Sequence, residues 1–180
     1  TINPLPTITT GGTAVAICYN AVAQTTTLAY TATTNTPTSY SINWTGMANQ
    51  GSTAQVFNAG AGSISGIVIP AGQAAGTYSG TMTIMNGNGC TNTQAVSVTI
   101  NPLPTITTGG TAVAICYNAV AQTTTLAYTA TTNTPTSYSI NWTGMANQGS
   151  TAQVFIPGPQ TISGIVIPAG QAAGTYSGTM

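Results

Sequence analysis

Cys18, Cys90 and Cys116 carry the only thiols in this 180-residue sequence, and nothing in the chain can activate them. There is no Lys, Arg, Asp, Glu or His. A catalytic thiolate needs an imidazole or a neighbouring cation to favour its charged form. General acid–base catalysis needs a carboxylate, imidazole or amine near neutrality. Both are excluded by composition. Three thiols are too few for a structural zinc site, and no other ligand is there to complete one. Calcium would have only backbone and amide oxygens. Side-chain charge cannot attract nucleic acid or an acidic membrane. No cofactor, no metal and no nucleic-acid partner is expected.

The cysteines instead follow a repeat. Residues 1–57 recur unchanged as residues 99–155, and Ile64–Met82 recur as Ile162–Met180. Between the matched blocks NAGAGS becomes IPGPQT, with only Gly60 and Gly158 in common. The unit is domain-sized, far longer than a solenoid repeat. We read residues 1–100 as the first repeat, with a junction at 1–6, and residues 101–180 as the second. Cys18 and Cys116 are the same position in two copies, and Cys90 comes late in the first. A Cys18–Cys90 disulfide is expected, with the partner of Cys116 outside this chain. A Cys90–Cys116 staple and free thiols are the alternatives. Closing so long a loop would stabilise the domain by ~4 kcal/mol on the chain-entropy estimate.

The elements that must position these residues read as strands. Tyr40, Ile42 and Trp44 share one face, with Ser39, Ser41 and Asn43 on the other. Tyr78, Met82 and Ile84 form a second alternating run, and Val96, Val98 and Ile100 a third. A period of two marks half-buried strands. The runs are separated by TTGG, NTPT, NQGS, PAGQAAG and NGNG, which are turn sequences. Short strands at this spacing point to an all-β, two-sheet sandwich. Trp44 and Trp142 are the expected core anchors. Tyr78 and Tyr176 sit in AGTYSG, where a hydroxyl can pin a turn or a ring can fill the core. Apolar runs such as AVAIC are a handful of residues, whereas a spanning helix needs about 20. No membrane insertion is expected.

The second copy has no counterpart of residues 83–100, and the chain begins with Thr. We therefore expect a piece of something longer, or a unit completed by a neighbouring chain. The altered patch at Ile156, Pro157 and Pro159 is a candidate assembly contact. Asn43 and Asn141 each open an Asn-Trp-Thr glycosylation pattern. Thr25, Thr26, Thr27, Thr36 and Thr38 lie in Thr clusters that are candidate O-linked acceptors.

Several segments together resemble the Ig-like or PKD-like repeats of large secreted surface proteins of Bacteroidota. They are the TINPLPTIT junction, the early Cys, LAYTAT, SYSINW and AGTYSGTMTI followed by NGNGCTNTQAVSVTINPLP. The resemblance covers both copies. It implies tandem immunoglobulin-like antiparallel β-sandwich domains, a secreted or cell-surface location, and a spacer role without enzymatic activity. It also sets the joints at Asn3-Pro4-Leu5-Pro6 and Asn101-Pro102-Leu103-Pro104, each stiffened by two prolines. The expected function is a structural repeat of an extracellular filament or stalk. An adhesin module binding glycan or protein is the alternative. Expected partners are copies of itself or more of the same chain, with attached glycans. A chain without charge has no self-repulsion to oppose stacking, and its contacts are not screened by salt.

Overall fold

The computed structural model describes residues 2–150 and 153–180. The chain divides into two compact units, residues 1–103 and 104–180, and the described residues contain strands and turns but no helix.

Unit 1 contains eight strands: β1 (Thr7–Thr10), β2 (Ile17–Cys18), β3 (Gln24–Thr34), β4 (Pro37–Trp44), β5 (Gln50–Ser52), β6 (Gly62–Ile69), β7 (Gly76–Asn86) and β8 (Thr91–Asn101). They form a three-stranded sheet, β1-β3-β6, and a five-stranded sheet, β2-β8-β7-β4-β5. The expectation of a wholly antiparallel arrangement is corrected at one place. Strand β2 runs parallel to β8, with Ile17 opposite Ile100 and Cys18 opposite Asn101. The start of the chain thus serves both sheets. After β1 pairs with β3, the backbone turns at Gly12 (φ 74°) and bridges to β8 through Thr13 and Ser97. Glycine tolerates that left-handed turn without steric cost.

The two sheets share one core. Leu28, Ile64, Ile67 and Ile69 come from the first sheet. Ile42, Met82, Ile84, Val98 and Ile100 come from the second. Each buried apolar side chain of this size contributes about 1.5–3 kcal/mol. In a chain without ion pairs, burial and neutral hydrogen bonds must supply the stability.

Close packing between neighbouring strands depends on two glycines. Trp44 on β4 lies opposite Gly80 on β7. A Cβ at Gly80 would lie 2.7 Å from Cε3 of Trp44 and 3.0 Å from the Asn43 carbonyl oxygen. Tyr30 on β3 lies opposite Gly62 on β6, where a Cβ would strike the phenol. A large ring therefore lies across the gap left by a missing side chain on the next strand.

Unit 2 repeats the plan with β9 (Thr105–Thr108), β10 (Gln122–Thr132), β11 (Tyr138–Trp142), β12 (Gln148–Ser150), β13 (Gln160–Ile167) and β14 (Gly178–Thr179). Its sheets are β13-β10-β9 and β12-β11-β14. The register is preserved: Gln122 faces Ile167 as Gln24 faces Ile69, and the irregularity after Thr124 matches that after Thr26. Residues 115–116, identical in sequence to β2, are not in a strand. Strand β2 exists only as a ladder with β8.

Replacing Gly80 or Gly178 by Ala is expected to destabilise its unit by about 1–3 kcal/mol through overpacking against the Trp. The Gly87→Ala variant, whose added methyl meets nothing within 4 Å, should be near neutral. Denaturant midpoints of the three variants check this.

Candidate functional site

All three thiols are free, so the expected Cys18–Cys90 disulfide is corrected. Strand topology gives the reason. Cys18 pairs with Asn101 at the end of β8, whereas Cys90 immediately precedes Thr91 at its start. About ten residues of strand at ~3.3 Å per residue hold the two roughly 35 Å apart. A disulfide needs Cα atoms within about 7 Å. Cys18 and Cys116 are exposed thiols whose roles lie in the backbone. Their carbonyls accept hydrogen bonds of 2.9 Å from Nε2 of Gln24 and Gln122. Among the described residues no group of His, Cys, Asp and Glu could hold a metal ion.

Cys90 belongs to a constellation that sequence reading missed. The joint Asn3–Pro6 offers four consecutive carbonyls, and each meets a side-chain donor from unit 1. The Cys90 thiol reaches the Asn3 oxygen at 3.8 Å. Asn86 Nδ2 donates to Pro4 at 3.2 Å, Asn35 Nδ2 to Leu5 at 2.6 Å and Asn92 Nδ2 to Pro6 at 3.1 Å. Asn86 is buried, and its Oδ1 accepts the N–H groups of Asn88 and Cys90. One amide thus shapes the β7–β8 turn and grips the joint. The partners are more than 80 residues apart for three of the four bonds. No local signal announces them; the Asn-rich NGNGCTN segment was the only available hint.

A second amide device joins the sheet edges. Oε1 of Gln50 accepts the Val68 N–H at 2.6 Å, and its Nε2 faces the Val68 carbonyl at 3.3 Å. Gln148 and Val166 repeat the pair at 2.7 and 3.3 Å. The side-chain amide mimics a strand, linking β5 at one sheet's edge to β6 at the other's. Open edges invite pairing with other chains, and lysine commonly blunts them. This chain has none, and the glutamine occupies the edge instead.

The aromatic positions are placed as follows. Trp44 is buried, and Trp142 is half-buried. Both indole N–H groups are buried without an acceptor among the described residues. Tyr78 and Tyr176 are half-buried, and their hydroxyls donate to the carbonyls of Ala74 at 2.9 Å and Ala172 at 2.7 Å. Each hydroxyl pins the turn before its own residue.

The candidate acceptors separate by exposure. Asn43, Asn141, Thr25, Thr36 and Thr38 are exposed, and Thr27 is half-buried. Thr26 is corrected: it is buried and its hydroxyl donates to the Val15 carbonyl at 2.5 Å. Asn43 belongs to a hydroxyl-rich outer face of the five-stranded sheet. There Asn43, Thr81 and Ala95 lie in one row and Ser41, Thr83 and Thr93 in the next. Thr77 and Thr99 hydrogen-bond across the strands at 3.0 Å. Ile156, Pro157 and Pro159 are exposed. The contact at this patch is made by backbone: the Ile156 N–H donates to the Tyr128 hydroxyl at 3.1 Å, as the Asn58 N–H does to Tyr30 at 2.9 Å. Side-chain identity there is free to vary because the tyrosine reads the main chain.

Iodoacetamide should modify Cys18 and Cys116 in the folded protein, Cys90 more slowly, and a reductant should leave the melting midpoint unchanged. A reductant-dependent fall would overturn the free-thiol assignment. Burial raises the phenol pKa of Tyr40 above its usual 10.0. In the range just above pH 10 the unfolded chain loses this proton first, so the folded state holds more protons and stability falls as pH rises. The midpoint should be flat between about pH 5 and 8 and decline only above about pH 10. Thermal melts across that range check the sign.

Among the described residues no helix is long and apolar enough to cross a membrane. No protein-family model matches the chain, and no curated protein is similar to it by sequence.

Proposed function

We propose that each unit is an immunoglobulin-like β-sandwich and that the chain is a repeat segment of an extracellular filament or cell-surface stalk, with no catalytic role. The observation that carries this reading is the joint. Four successive carbonyls of Asn3–Pro6 are held by side chains of the unit that follows them. A linker of that kind is part of the brick rather than a loose tether. The sheet orders, the division of the first segment between the two sheets as β1 and β2, and the tyrosine-pinned turn before β7 support the immunoglobulin-like assignment. The likeness of TINPLPTIT and NGNGCTNTQAVSVTI to secreted surface repeats supports the location. Near-identical copies and a charge-free surface suit a long assembly. A glycan platform would want an exposed ring, whereas Trp44 is buried.

Electron microscopy of the native material should show a regular extended polymer built on this unit. Isolated particles or irregular clusters would overturn the filament reading.

A further inference from the structure

Unit 1 holds part of its entering segment and its last strand side by side and parallel. The joint lies beside the start of β8, where Asn92 Nδ2 reaches the Pro6 carbonyl, and the chain leaves the unit at Asn101, where β8 ends. Between these points residues 13–18 run parallel to residues 97–101. Tension between the joint and Asn101 therefore pulls the two segments in opposite directions along their common axis.

The bonds that resist this sliding run from one segment to the other. The Ser97 N–H donates to the Gly12 carbonyl at 2.6 Å, the Ala14 N–H to the Ser97 carbonyl at 2.8 Å and the Tyr19 N–H to the Asn101 carbonyl at 2.8 Å. The hydroxyls of Thr13 and Ser97 meet at 3.2 Å, and Ile17 pairs with Ile100. The same segment is tied to the first sheet. The Val15 N–H donates to the Thr27 carbonyl at 2.9 Å, and the Thr26 hydroxyl donates to the Val15 carbonyl. Ala14, Val98 and Ile100 are buried, which keeps water from competing for these bonds. On its other side β8 is paired with β7 from Thr91 to Ile100. The shorter ladder, that of residues 13–18, is thus the one that yields.

We infer that this parallel patch is a shear clamp, and that it sets the tension unit 1 bears before it unfolds. A single neutral hydrogen bond contributes little at equilibrium. Sliding strains all of these bonds together, so they break almost at once, and forced unfolding follows the unfolding rate rather than equilibrium stability. A pull on Cys18 loads the same patch differently. Cys18 lies opposite Asn101 at the end of the ladder, so drawing the two apart peels the bonds one after another. The inference rests on the stalk reading for the direction of pull, and it gives that reading a mechanical function.

The test stretches the full chain in an optical trap. In one geometry peptide tags hold the chain at its two ends. In the other, a C90S/C116S variant is held by the exposed Cys18 thiol and the C-terminal tag. The event that unfolds unit 1 is recognised by its released length, about 3.5 Å per residue from the clamp to Asn101. Held by its ends, unit 1 should yield at a force at least about twofold higher than when held at Cys18. The A14P variant lacks the donor to Ser97 and should yield at a lower force through the ends. The G80A variant, destabilised against Trp44, should keep the parent's force. Equal forces in the two geometries would overturn the inference, as would G80A weakening the unit as much as A14P. The comparison of geometries decides alone if A14P does not fold. Its failure would remove the clamp and leave the filament reading, which electron microscopy tests separately. A failed filament reading would leave the force difference standing.

Discussion

The interaction on which this structure depends is the bond between a side-chain amide and the backbone. With no ionic side chain in the sequence, Asn and Gln do the work that charge does elsewhere. Asn86, Asn92 and Asn35 fix the joint, Gln50 closes the sheet edges, and Gln24 ties the carbonyl of Cys18. Each bond is neutral and contributes about 1 kcal/mol net. Their value is positional. An amide presents both a donor and an acceptor, and so can replace a missing strand, as Gln50 does beside Val68.

The remaining stability is packing, and it is organised by rings over glycines. Trp44 over Gly80 and Tyr30 over Gly62 bring neighbouring strands into close contact. The copies differ at one of these places. Gly62 is replaced by Gln160, opposite Tyr128. The ring still contacts its Phe neighbour at 5.7 Å, against 5.8 Å in unit 1. The tyrosine hydroxyl keeps its backbone partner in both units, so the patch changed in sequence without losing its anchor.

The inward-facing residues were legible in the sequence because alternation is local. Tyr40, Ile42, Trp44, Val96, Val98 and Ile100 are buried as their period of two requires. The parallel pairing of β2 was not legible, since it depends on a kink at Gly12 and on a partner about 80 residues away. The disulfide expectation failed for a related reason. Repeat arithmetic shows how many cysteines a unit holds, but not that Cys18 and Cys90 lie at opposite ends of β8. The turn-pinning reading of Tyr78 needed only four residues of context. The grip on the joint needed the whole domain, which is why composition and spacing passed over it.

Asn86 precedes Gly87, a pairing prone to spontaneous loss of the side-chain ammonia. Here the amide is buried and bonded at both ends. Converting it to a carboxylate would exchange a donor for an acceptor and set two oxygens against each other at Pro4. It would also place the first side-chain carboxylate of the chain in a dry site. The working lifetime of the joint is therefore tied to the chemical age of a single nitrogen, and the bonds that hold the joint also shield it from hydrolysis.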